Sequence, residues 1–129
     1  MLSGGPSTAW ALVRGDDPLE ATRAAGRLLA PTTQNPVRLL TAAAAAHATL
    51  SLVWTAVLNR LPGGPARSAA YGLAIAALDL GTAHTLRGPR FGPTADLPLL
   101  PQLADHVAFA LIARAALSAG SRPARPASS

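Results

Sequence analysis

Apolar residues run along this chain in unbroken stretches whose length matches a bilayer, and most polar residues fall between the stretches. From 39 to 59 the sequence reads LLTAAAAAHATLSLVWTAVLN, twenty-one residues without a formal charge between Arg38 and Arg60. As a helix this segment rises about 31 Å, against roughly 30 Å of hydrocarbon to be crossed. Every face of it carries Ala, Leu or Val, which requires burial all round, and Trp54 lies near its far end, where an interfacial aromatic belongs. The cluster Leu61-Pro62-Gly63-Gly64-Pro65 breaks the pattern. A second helical segment, 68–86, is interrupted by one charge, Asp79. The stretch RGPRFGPTADLP, 87–98, holds three prolines and two glycines and cannot continue a helix. A third segment, 99–119, tolerates Pro101 in its first turn and carries Asp105, His106 and Arg114.

Upstream, 18–30 predicts a short helix with Asp17 as N-cap and Pro18 at the first helical position. Leu19, Thr22, Gly26 and Leu29 share one side of it, apart from Glu20, Arg23 and Arg27, which suits a helix lying at the membrane interface or a solvated connector. The opening MLSGGPSTAWALV, 1–13, lacks the basic n-region and long apolar core of a signal peptide. It reads as the second half of a span whose front is missing. The tail SRPARPASS, 121–129, is expected to be disordered. The predicted fold class is therefore all-α: one domain over 1–120, a small polytopic transmembrane helical bundle of three full spans, a partial first span and a short interfacial helix.

Insertion energies separate the three spans. Leu, Ile, Phe or Val at mid-helix contributes about −0.3 to −0.6 kcal/mol, and Asp or Arg costs about +2.5 to +3.5 kcal/mol. With five leucines and two valines, 39–59 gains roughly 3 kcal/mol and inserts alone. Segment 68–86 gains a similar amount from Leu73, Ile75, Leu78, Leu80 and Leu86, and Asp79 cancels it. Segment 99–119 is richer in large apolar residues but carries Asp105 and Arg114. The last two spans depend on packing against the first and on polar pairing within the bundle.

Composition agrees with scarce water-facing surface. Of 129 residues thirty are alanine and twenty-one leucine, and 13% are charged, about half the usual share. A soluble alanine-rich bundle is the competing fold, because alanine is nearly indifferent between the two solvents; the charge-free 39–59 stretch favours the membrane. Eleven arginines against six acids leave a formal +5. The arginines sit singly and five aromatics cannot form a stacking platform, so nucleic acid is set aside as a partner. They border spans instead. Arg14, Arg23, Arg27, Arg38, Arg87 and Arg90 fall on one side and Arg60, Arg67, Arg122 and Arg125 on the other, placing the first side in the cytoplasm of a multi-pass inner (plasma) membrane protein. Zero cysteines exclude disulfides and thiol chemistry.

Four ionisable residues fall at one depth. Counted from the end at Arg38, His47 lies about 13 Å in, Asp79 about 10 to 12 Å, and Asp105 and His106 about 9 to 11 Å. His47, Ser51, Trp54 and Leu58 follow one helical stripe, and Ser68, Gly72, Ile75 and Asp79 another. Gly72 allows a close neighbour on the face of Asp79. Asp105 and His106 point about 100° apart, and Gln102 can flank either. Three readings follow: polar glue that fixes helix packing, a proton or ion relay, or a metal site of nitrogen and oxygen ligands suited to zinc or manganese. His84 reads as interfacial, and Arg114 as a snorkelling side chain near the far end of its span. No Walker loop, GxGxxG, HExxH or GxSxG occurs, and Ser51 has no identifiable oxyanion donor, so no enzyme activity and no cofactor is predicted.

The layout resembles small uncharacterised bacterial inner-membrane proteins of the YagU-like type with four spans. The resemblance is carried by TAWALVRGDDPLEATRAAGRLLAP, HATLSLVW, YGLAIAALDL and ADHVAFA. It implies no established catalytic residues. This chain departs from that layout by lacking the front of the first span, which predicts an in-frame apolar extension of about ten residues upstream of Met1. The expected role is a structural or interaction component of the membrane, with the lipid bilayer, and a homo-oligomer or another membrane protein, as partners.

Overall fold

The computed structural model describes residues 4–121, and among them all regular structure is helical. Six helices follow in order: α1 (Gly5–Arg14), α2 (Glu20–Arg27), α3 (Pro36–Arg60), α4 (Pro65–Leu86), α5 (Gly88–Ala95) and α6 (Leu99–Gly120). The helix α3 begins where the Asn35 side chain accepts from the Val37 and Arg38 amides at 2.9 and 3.1 Å, with Pro36 in the first turn. Asn at the cap and Pro at the first position satisfy or remove amides that have no carbonyl one turn back. Helices α3, α4 and α6 therefore enclose the predicted segments 39–59, 68–86 and 99–119. Only α3 and α6 are long and apolar enough to cross a membrane; α4, at 22 residues, matches α6 in length but carries Asp79 and His84.

Three expectations change. The break at 87–98 does end α4, through Arg87 and Gly88 at φ 39° and 69°, but it then forms α5 of its own. Pro89 stands in the first turn of that helix, where no intrahelical amide is required, and in so short an element Pro93 removes one bond. The predicted helix 18–30 contracts to Glu20–Arg27, and of its expected side, Leu19, Thr22, Gly26 and Leu29, only Gly26 is buried, together with Ala24. Close backbone approach explains this, since a Cβ on Gly26 would run into the Leu39 carbonyl of α3. Asp17 is not the N-cap, which is Leu19, and Asp17 instead closes the turn before the helix. Its carboxylate accepts the Leu19 amide at 2.8 Å and pairs with Arg23, and these two bonds, Arg23 first, hold its carboxyl below the usual carboxylate range. The partial span 1–13 appears as the ten-residue α1, ending on Gly15 in the left-handed region at φ 74°. Residues 1–3, and all but Ser121 of the tail 121–129, lie outside the described residues.

The helices α3 and α6 run in the same direction, because Arg114 near the end of α6 donates to the carbonyls of Leu58 and Leu61 at the end of α3, at 2.7 and 3.2 Å. The helix α4 returns in the opposite direction, packed mainly on α6. Gly63, just before it, lies beside Arg114, and Gly72 lies against His106 and Val107. A Cβ at Gly72 would sit 2.7 Å from the His106 carbonyl oxygen and the Val107 Cα, so α4 and α6 touch backbone to backbone. Leu58, Ile75, Ala110 and Ala113 form the buried centre, flanked by Trp54, Tyr71 and Phe109. Around it the outer faces stay apolar: Leu52, Leu78 and Leu86 are 72%, 60% and 60% exposed.

Candidate functional site

All four predicted polar residues line one cavity of about 170 Å³ between α3, α4 and α6. His47 and Ser51 enter from α3, Asp79 from α4, and Asp105 and His106 from the first turns of α6, with Trp54, Ile75 and Phe109 as apolar wall. The α4 stripe Ser68, Gly72 and Ile75 is buried, as periodicity requires, and it carries Asp79 to the cavity edge.

The four do not act as one cluster. His106 Nε2 lies 3.4 Å from Asp79 Oδ2, with both side chains partly buried. Asp105 turns the other way, toward α1, where its carboxylate accepts the Ser7 amide at 3.1 Å and the Ser7 hydroxyl. Adjacent positions on a helix diverge by about 100°, and the two residues serve different neighbours for that reason. His47 stands across the cavity, exposed, without a hydrogen bond among the described residues. Among the described residues no three His, Cys, Asp or Glu side chains converge as metal ligands would.

The His106 ring has a defined chemistry. Its Nδ1 lies 2.7 Å from the Gln102 backbone carbonyl, which only accepts, so Nδ1 carries a hydrogen. That assigns the tautomer from geometry. A neutral ring then presents a bare Nε2 to Asp79, and an ionised carboxylate is likewise only an acceptor. The Nε2 to Oδ2 contact at 3.4 Å closes as a hydrogen bond when the ring carries a second hydrogen on Nε2 and donates it to the carboxylate. The contact joins α4 to α6.

Two supporting side chains, Gln102 and Trp54, depart from expectation. Gln102 is 7% exposed, and its amide donates to the Thr94 and Leu97 carbonyls, closing the α5 to α6 connection, while only its backbone serves His106. Arg114 is held at the end of α3, where a cation meets the orphan carbonyls of Leu58 and Leu61 and the negative end of the α3 dipole. Trp54 packs on the core with its indole nitrogen buried and unpartnered, rather than standing at an interface. His84 stays exposed in the last turn of α4. Ser7 had no signal in the sequence, because 98 positions separate it from Asp105. No protein-family model, no curated protein and no solved structure matches the chain.

Proposed function

We propose that this chain is an integral multi-pass membrane protein whose His106–Asp79 pair takes up and releases a proton inside the bilayer. The membrane half of the reading is supported by where the apolar residues sit. In the most apolar windows of α3 and α6 only 11% of the residues are buried, so most of the apolar surface of these helices faces outward. A soluble monomer rarely exposes more than a few hundred Å² of continuous apolar surface, whereas lipid matches Leu40, Leu52, Val53 and Leu111 on the outside. The helix α4 crosses with them, its Asp79 offset by His106 rather than by lipid.

The observation that supports the proton reading is the contact of His106 Nε2 with Asp79, its other ring nitrogen held by the Gln102 carbonyl, beside a cavity that three further polar side chains line. Histidine is suited to the exchange because its ordinary titration lies near neutrality. An alkaline carbonate wash of cell membranes tests the location: the protein stays with the pellet, and its release into the supernatant would refute the membrane assignment. Proton flux into vesicles tests the pair. Asp79→Asn keeps the fold and abolishes flux; a variant that no longer folds, beside a parent with no measurable flux, assigns the pair to polar glue between α4 and α6.

A further inference from the structure

The cavity does not end at the pair. It shares His47, Ser51 and Phe109 with a second, larger groove of about 580 Å³ between α3 and α6, which opens at Asn59 and Ser121 beside the C-terminal ends of both helices. On α3 the groove is lined by His47, Ser51, Thr55 and Asn59, each four residues from the next. That track covers about 18 Å, half the length of the helix. The facing wall of α6 is apolar, with Phe109, Ile112 and Leu117.

The hydroxyls on this track differ from those of Thr41, Ser68, Thr82 and Thr85. Each of those four bonds the carbonyl one turn back, which is how a helix satisfies a hydroxyl in an apolar setting. Ser51 and Thr55 make no such bond among the described residues and face the groove instead. Hydrocarbon would leave them, His47 and Asn59 unsatisfied, whereas water bonds all four. The groove has room for on the order of ten to twenty waters at roughly 30 Å³ each. Toward the other end, Ser7 of α1 bonds the Asp105 carboxylate at the cavity's edge.

We infer that the groove is a hydrated half-channel, which carries protons between the aqueous face at the C-terminal ends of α3 and α6 and the His106–Asp79 pair. The assignment of protons rests on the reading of that pair given above; the wetness of the groove and its single opening do not. A chain without cysteine allows both to be tested by single substitutions in the full protein, in sealed vesicles, with a membrane-impermeant charged methanethiosulfonate. Gln34→Cys, before α3, and Pro62→Cys, after it, mark the two faces. Ser51→Cys and Thr55→Cys react only from the Pro62 face, on the order of tenfold or more faster than Val53→Cys, because the reactive thiolate forms in water. Val53 is 51% exposed outside the groove. Ser51→Cys and Thr55→Cys as inert as Val53→Cys would mean a dry groove and overturn the half-channel, as would reaction from the Gln34 face or from both. Fast reaction at Val53→Cys instead overturns the membrane reading itself. Labelling as expected, with Asp79→Asn conducting like the parent, overturns protons as the cargo while leaving the groove wet.

Discussion

At the scale of single residues, the arrangement turns on how closely two backbones approach. Gly72 has no Cβ, and the space one would occupy is filled by main-chain atoms of His106 and Val107, which cannot rotate away. That contact also brings Asp79, two turns along α4, within reach of the His106 ring. Gly72→Ala is therefore expected to destabilise the protein by about 1–3 kcal/mol, as overpacking does, read as a lower midpoint of thermal unfolding in detergent. Gly81→Ala is the matched control: nothing lies within 4 Å of its added methyl, and alanine raises helix propensity by up to about 1 kcal/mol. Equal midpoints for the two variants would refute the backbone contact. The stripe Ser68, Gly72, Ile75 and Asp79 was legible from spacing alone. The partner of Asp79 was not, because spacing gives a direction and no distance.

At the scale of elements, local signals fixed where helices start, and tertiary contacts fixed what each helix does. Asn35-Pro36 and Pro65 are recognisable starts, while the turn at Arg87 and Gly88 ends α4 as the proline and glycine content of 87–98 implies. That the same stretch folds into α5 was hidden, since prolines count against a helix until one knows they fall in or near its first turn. The attachment of α1 rests on a long-range contact, the two Ser7 bonds to Asp105. Ser7→Ala removes the hydroxyl bond and is expected to loosen α1 by about 1 kcal/mol, the typical worth of one hydrogen bond. Amide exchange in α1 should then quicken about fivefold, with exchange at the α4 and α6 contact unchanged. Unchanged exchange in α1 would show that its packing on α6, not this bond, holds it.

At the scale of the molecule, the helices divide by how they reach the membrane. On the membrane reading proposed above, the charge-free stretch 39–59 of α3 is self-sufficient, and α4 depends on its neighbours, since one carboxylate offsets the gain from its leucines and isoleucine. In a glycosylation-mapping assay of single segments, 39–59 is expected to insert fully and 68–86 about halfway. Asp79→Leu removes a cost of about 2.5 to 3.5 kcal/mol and should drive 68–86 to nearly complete insertion. An isolated 68–86 that already inserts fully would mean that Asp79 needs no partner there.

The length and charge content of the apolar stretches determined by themselves that the chain is helical, where three long helices lie, and that four ionisable residues share a depth. Those properties depend on rise per residue and on transfer energies, both of which are local. Only the tertiary structure decided that His106 pairs with Asp79, that Asp105 belongs to α1, and that His47 looks onto a groove lined by Ser51, Thr55 and Asn59. These outcomes depend on rotation of each helix about its axis, which is set by where a glycine lets two backbones meet and by which carbonyl a ring nitrogen finds.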